Sequence, residues 1–175
     1  MAGKKTDKEK LNRTLEKVCS ILSENNFNDW FIFFGTLLGI VRENSCIQGD
    51  DDLDIMINCD YEKLRSSFEE EGFIFTSKFG IKDSKNILKT EPCEKYASFD
   101  FYLCNVNDSG DFRSPWQGVT STNSYLNLPS KTFITKQWRS IFLNLPMNYE
   151  QKLVNMYGDW KTPSGKSCGM HIGEV

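Results

Sequence analysis

The run Asp50-Asp51-Asp52-Leu53-Asp54-Ile55-Met56-Ile57 constrains this chain more than any other stretch. Four carboxylates fall within five residues, and the run passes directly into an apolar segment. On a β-strand successive side chains point to opposite faces, so Asp52, Asp54 and Met56 share one face while Leu53, Ile55 and Ile57 share the other. The apolar face anchors the strand to a core and leaves two carboxylates side by side on a rigid element. Like charges at that spacing repel, and burying a carboxylate is expensive unless it is paired or binds a cation. A solvated acidic turn would account for a bare Asp-Asp-Asp run. Here Asp54 lies inside the alternation and a Gly35-Thr36 turn stands upstream, and together these point to a metal site. Oxygen-only donors suit Mg²⁺, which is commonly held by carboxylates together with substrate phosphates. A calcium loop of the EF-hand kind ranks last, because the run lacks that loop's glycine and closing glutamate at their required positions.

Upstream, Trp30 to Phe34 reads as a strand, and Thr36 opens a short helix, Leu37 to Glu43. The free amides and positive end of such a helix favour an anion such as phosphate. Gly35 has no Cβ and lets a phosphate approach the backbone, and the Thr36 hydroxyl adds a donor. Alone, the pair also fits an ordinary strand-to-helix turn. Arg42 is either a phosphate clamp or the partner that balances the acidic cluster. Downstream, Tyr96 to Cys104 alternates again, with Phe99, Phe101 and Leu103 on one face and Asp100 and Tyr102 on the other. A lone carboxylate among aromatic residues is paired or is a ligand. Taken by itself Asp100 reads as half of a structural ion pair; beside an Asp-x-Asp strand it becomes the natural third metal ligand.

Gly35-Thr36-Leu37-Leu38-Gly39 with Arg42, followed by Asp50-Asp51-Asp52-Leu53-Asp54, resembles the signature of the LicD/fukutin group, within the DNA polymerase β-like nucleotidyltransferase superfamily. The closing segment Tyr157-Gly158-Asp159-Trp160-Lys161-Thr162-Pro163 resembles that group too, and so does the aromatic strand around Asp100. The resemblance implies an α+β fold, a small mixed sheet flanked by helices. It implies Mg²⁺ or Mn²⁺ as a pair of ions, held by Asp52, Asp54 and Asp100, with Asp100 also drawing the proton from the acceptor. Gly35 and Thr36 would seat phosphates, Arg42 would offset developing charge, and Asp50 and Asp51 would play supporting parts. The implied partners are a CDP-linked alcohol as donor and a hydroxyl acceptor such as a glycan, with phosphocholine or a polyol phosphate transferred and CMP released. Transfer of a nucleoside monophosphate from NTP and a catalytically silent nucleotide-binding module are the alternatives. The chain departs from the family at Gln48-Gly49, where Pro-Trp is common, and at Leu103-Cys104-Asn105, where Pro and another acidic residue often follow. Both departures flank the site and remove no ligand.

The remaining sequence fits one domain over 1–175, with a core from about 8 to 163. Leu11, Leu15, Val18 and Leu22 mark an amphipathic helix, Lys8 to Glu24, capped by Thr6 or Asp7 and ended by Asn25-Asn26. Asp60 caps a helix, Tyr61 to Glu71, which Gly72 stops. Phe73 to Phe79 and Asn86 to Lys89 read as mostly antiparallel strands, with Gly80 and Asp83-Ser84 as turns. Residues 105–130 read as a long loop, in which Trp116 and Tyr125 either stack on a ligand or pin the loop to the core. A short strand, Lys131 to Thr135, and a last helix, Tyr149 to Tyr157, follow. Asn148 caps that helix, Leu153, Val154 and Tyr157 face inward, and Gly158, Trp160 and Pro163 serve as cap, plug and stop.

A net charge of −3 disfavours nucleic acid as a partner. The charged start, MAGKKTDKEK, has no apolar signal region, and no apolar run approaches the ~18 residues of a membrane span. The six cysteines show no C-x-x-C pairing and the one histidine is His171, which argues against zinc. A cytoplasmic protein with free thiols is expected.

Overall fold

The computed structural model describes residues 5–77, 84–116, 118–163 and 173–175. The expected turns at Gly80 and Asp83, the end of the strand expected to Phe79, Cys168 and His171 lie outside the described residues.

The centre is a four-stranded sheet in the order β1-β2-β4-β3, made of β1 (Trp30–Ile32), β2 (Asp52–Ile57), β4 (Ser98–Leu103) and β3 (Ile87–Lys89). β1 runs antiparallel to β2, β2 parallel to β4, and β3 antiparallel to β4. The sheet is therefore mixed, as the expected α+β class requires. Leu53, Ile55 and Ile57 of β2 and Phe99 and Phe101 of β4 form its apolar back and are buried. Helix α1 (Lys8–Glu24) and helix α3 (Tyr61–Glu70) supply Leu11, Leu15, Val18, Leu22, Leu64 and Phe68 to the same core. The Phe68 ring meets Phe101 edge-on at 5.0 Å and lies 5.5 Å from Phe99. Such aromatic pairs add roughly 0.5–1.5 kcal/mol beyond the area they bury. Asp7 caps α1 by accepting from Glu9, and Asp60 caps α3 by accepting from Lys63, as the sequence predicts.

Helix α2 (Phe34–Glu43) begins earlier than expected. β1 pairs with β2 only as far as Ile32, and the Phe33 amide then donates to the Asp54 carbonyl, which turns the chain out of the sheet. Phe34 takes a positive φ of 43° at this turn. Thr36 consequently lies within the first turn rather than at the cap, and no side chain caps α2.

Further expectations change in the rest of the chain. The segment expected as a long loop contains a small antiparallel sheet, β5 (Asn105–Val106), β6 (Phe112–Arg113) and β7 (Thr120–Ser121). Its Phe112 packs against Phe31 of the central sheet at 5.0 Å. Tyr125 is buried against Phe133 and donates its hydroxyl to Asp29, and Trp116 packs on the core, so both pin this region down. The strand expected at Lys131 to Thr135 instead runs Ile134–Trp138 (β8) and forms a hairpin with β9 (Ile141–Leu145). In the last helix, α4 (Tyr149–Tyr157), Leu153 and Met156 are buried, whereas Val154 is 45% exposed. Asn148 precedes α4 in a left-handed conformation without capping it. Of the strand expected at Phe73 to Phe79, the described residues 73–77 make one isolated antiparallel bridge, Phe75 to Thr90.

Candidate active site

The parallel pairing of β2 with β4 sets Asp54 opposite Asp100, with Asp52 opposite Ser98 and Met56 opposite Tyr102. Directly paired residues share a face, so the front of the sheet carries Asp52, Asp54 and Asp100 together. Next in the row stands Lys89, the partner of Asp100 across the antiparallel β3–β4 pair. Its ammonium donates to Asp100 Oδ2 and Asp52 Oδ2 at 2.8 Å each and to Asp100 Oδ1 at 2.9 Å. The Tyr102 hydroxyl donates to Asp54 Oδ1 at 3.1 Å. The Asp54 amide donates to Thr36 Oγ1 at 2.8 Å, which ties the first turn of α2 to the middle of the acidic strand.

Burial and mutual repulsion make these carboxylates hard to ionise. Asp54 is pushed well above the usual carboxylate range by burial, then by the charges of Asp52, Asp100 and Asp50. Burial and Asp52 raise Asp100 to about 7, against the pull of Lys89. Asp52 is raised by burial, with Lys89 opposing, and Asp50 is raised by burial to about 6. Burial works against the Lys89 charge, yet Asp100 and Asp52 hold its pKa above its ordinary value. One ammonium therefore serves three carboxyl groups, bonding two of them, Asp52 and Asp100, directly.

Two expectations change here. Arg42 bonds to Glu43 at 2.6 Å and to the Trp160 carbonyl at 3.4 Å. It sits in the last turn of α2, whereas the acidic cluster meets the first turn, roughly 9 Å away along the axis. The counter-ion of the cluster is Lys89, and Arg42 ties α2 to the closing segment. The space over Gly35 is also filled: a Cβ there would lie 2.6 Å from Asp50 Oδ2. The missing side chain thus makes room for the Asp50 carboxylate, which in turn accepts from the Asp51 amide at 3.1 Å.

The donor chemistry fits a hard divalent cation, since Asp52, Asp54 and Asp100 offer carboxylate oxygens from one face and a cationic group already bridges two of them. Among the described residues, the three carboxylates that each bring an oxygen within 4.8 Å of one another are Asp50, Asp51 and Asp52. Asp52, Asp54 and Asp100 are not drawn together that closely, because Lys89 holds Asp52 and Asp100 on itself while Tyr102 engages Asp54. Asp52 belongs to both groups.

Lys89 and Tyr102 are the members that sequence reasoning passed over. Ile87-Leu88-Lys89 ends a strand on a charge, and Tyr102 alternates in phase with Asp100. Both are recognisable only once the register is known.

Among the described residues no helix is long and apolar enough to cross a membrane. Compared by sequence with curated proteins, the chain matches none significantly. Among solved structures it is similar to the lincosamide antibiotic adenylyltransferase LnuA with lincomycin bound, at a TM-score of 0.57 and 14% identity over 83% of this chain and 86% of that one. A partial likeness, TM-score 0.44 and 15% identity over 58% of this chain and 53% of the other, links it to ANT(2")-Ia in complex with adenylyl-2"-tobramycin. The first likeness shows a nucleotidyltransferase fold. The model of the family described as "LicD/FKTN/FKRP, nucleotidyltransferase domain" matches residues 28–137, which take in the first turn of α2, the acidic strand β2 and Asp100. The chain belongs to this LicD/FKTN/FKRP nucleotidyltransferase-domain family.

Proposed function

We propose that this protein is a metal-dependent transferase that moves phosphocholine or a polyol phosphate from a CDP-linked donor to a hydroxyl acceptor such as a glycan. The observation that carries the reading is the row Asp54–Asp100–Lys89 across three strands, with Asp52 on the same face. Family membership supports the transferase class, and the resemblance of the Gly-Thr and Asp-x-Asp segments supports the CDP-linked donor. Mg²⁺ or Mn²⁺ held by Asp52, Asp54 and Asp100 would neutralise charge on the attacking and leaving oxygens.

The residues divide the remaining work. The acceptor hydroxyl oxygen forms a bond to the donor's distal phosphorus, and the bond from that phosphorus to the CMP oxygen breaks. The hydroxyl proton passes to a carboxylate oxygen of Asp100, and CMP departs with the electron pair. The first turn of α2, at Gly35 and Thr36, would offer its amides and the positive end of the helix to the donor phosphates once the Asp50 carboxylate over Gly35 turns aside. Thr36 also fixes the main chain of Asp54. Asp50, over Gly35, and Asp51 line the approach to this turn. Positioning on a rigid sheet supplies much of the catalysis in phosphoryl transfer.

A second reading is transfer of a nucleoside monophosphate from NTP with release of pyrophosphate. The fold likeness to an adenylyltransferase favours it. Incubation with Mg²⁺, a polyhydroxylated acceptor and either CDP-choline, a CDP-polyol or each NTP separates the two. CMP release from the CDP-linked donors supports the first reading, and pyrophosphate release from an NTP supports the second. Inertness across all donors and acceptors would leave the nucleotide-binding module as the better description.

A further inference from the structure

The Lys89 ammonium lies between Asp52 and Asp100, two of the carboxylates assigned above to the metal. Its backbone has no freedom to leave. Thr90, next along the chain, donates its amide to the Phe99 carbonyl at 3.0 Å, accepts the Phe99 amide on Oγ1 at 2.9 Å, and accepts the Ser98 hydroxyl on its carbonyl at 2.7 Å. These bonds lock β3 in register beside Asp100. The Lys89 side chain, by contrast, ends in a four-carbon stem that can rotate away without disturbing the sheet. Side-chain exposure gives the direction of approach: 34% for Lys89, 19% for Asp52 and 7% for Asp100. The ammonium therefore covers the carboxylates from the solvent side, and an ion entering from solvent meets it first.

We propose that Lys89 is a displaceable counter-ion. It holds Asp52 and Asp100 in the ligand-free protein, yields them to a divalent cation, and couples metal loading to arrival of the donor. The coupling follows from charge. An ammonium pushed off two carboxylates hydrates at the rim of the same face, where the donor's phosphates offer it a closer anionic partner. Metal and donor then bind better together than either binds alone, and such coupling is reciprocal. Lys89 is a positioning residue in this scheme, since it acts through the carboxylates and the phosphates. The proposal rests on the metal-dependent reading above.

The test is Mn²⁺ binding to the whole protein, followed by the paramagnetic signal of free Mn²⁺, with and without CDP as the nucleotide probe. Lys89→Gln should bind Mn²⁺ without nucleotide about tenfold more tightly or better than wild type, because a competing unit charge has gone. CDP should strengthen Mn²⁺ binding several-fold more in wild type than in the variant. A second measurement uses wild type alone and does not depend on the variant folding. Reductive methylation of Lys89, read by peptide mass, should rise several-fold when Mn²⁺ is added and fall again with CDP. A charge effect without displacement would leave the labelling unchanged. If Asp52→Asn abolishes Mn²⁺ binding but Lys89→Gln leaves it equal or weaker, the proposal is overturned and the metal-dependent reading stands. If Mn²⁺ leaves the labelling of Lys89 unchanged, displacement is likewise overturned. If Mn²⁺ binds neither protein, with or without CDP, both fall.

Discussion

Asp54→Asn tests whether the acidic row is built for a cation. Asp54 and Asp100 are register partners on adjacent strands, so their backbones stand about 5 Å apart, the spacing of strands in a sheet, with both side chains on one face. If both were ionised, an effective dielectric of about 20 would make them repel by ~3 kcal/mol. A protonated Asp54 instead takes up a proton that the unfolded chain does not hold at pH 7.5, at about 1.4 kcal/mol per unit its pKa is raised. Either state costs the wild type a few kcal/mol. The asparagine carbonyl still accepts from the Tyr102 hydroxyl, and its amide can donate to the neighbouring carboxylates. Weakening of a charge-assisted hydrogen bond returns about 1 kcal/mol of the gain. The ligand-free variant should therefore be more stable than wild type by ~2 kcal/mol, a rise in Tm of about 4–8 °C for a chain of this size. Mn²⁺ at a hundredfold excess over its Kd should stabilise wild type by about 2.7 kcal/mol and the variant hardly at all. The assay is thermal unfolding at pH 7.5 with and without Mn²⁺ and nucleotide. A ligand-free variant that melts below wild type, or that keeps the full Mn²⁺ response, would refute the reasoning.

Three further outcomes are expected. Lys152 is buried at 3% exposure with its ammonium on the Thr122 and Val175 carbonyls, and burial lowers its pKa to about 8. Its unfolded value is about 10.4, so the unfolded chain binds the proton more tightly; stability is lowest below pH ~8 and rises up to pH ~10.4, by at most ~3 kcal/mol. Denaturant titrations from pH 7 to 10.5 should show that rise in wild type and a flatter profile in Lys152→Met; a fall over this range in wild type would contradict it. Gly35→Ala should lose ~1–3 kcal/mol despite better helix propensity, because its Cβ would meet Asp50 Oδ2 at 2.6 Å. The loss should largely disappear in an Asp50→Ala background, and an equal loss in both backgrounds would show that the clash is not its cause. Phe31→Ala should cost ~3–5 kcal/mol in urea unfolding, since the fully buried ring packs on Phe33, Phe112 and Phe133. A loss below 1 kcal/mol would mean that the small sheet is not held on the central one through this ring.

Alternation made the heart of the fold readable in the sequence. The period-two pattern placed Asp52 and Asp54 on one face of β2 and Asp100 on the matching face of β4, and the structure has them so. Helices α1 and α3 were legible because side chains at the N-caps, Asp7 and Asp60, signal locally. The start of α2 was not, because Phe33 and Phe34 leave the sheet through a tertiary bond to the Asp54 carbonyl rather than through turn residues. The strands within 105–130 are two residues each and owe their place to Phe112 meeting Phe31 edge-on, a contact no local pattern announces. Of the two readings of Arg42, the one that pairs it with the acidic cluster fails for the same kind of reason. Arg42 is near Asp50 in sequence, but helix α2 carries it away, whereas Lys89 arrives from a strand far along the chain through the β3–β4 register.

Turnover by Asp100→Asn, set beside wild type and His171→Ala, tests the central claim most directly. The quantity is CMP release from CDP-choline or a CDP-polyol with Mg²⁺ and a hydroxyl acceptor, with donor binding measured separately. Asp100 is assigned both to the metal and to the acceptor proton, so its asparagine variant should lose kcat by orders of magnitude while remaining folded and binding donor. His171 has no role in this chemistry, and His171→Ala should turn over like wild type. Turnover by Asp100→Asn at the wild-type rate would contradict the mechanism.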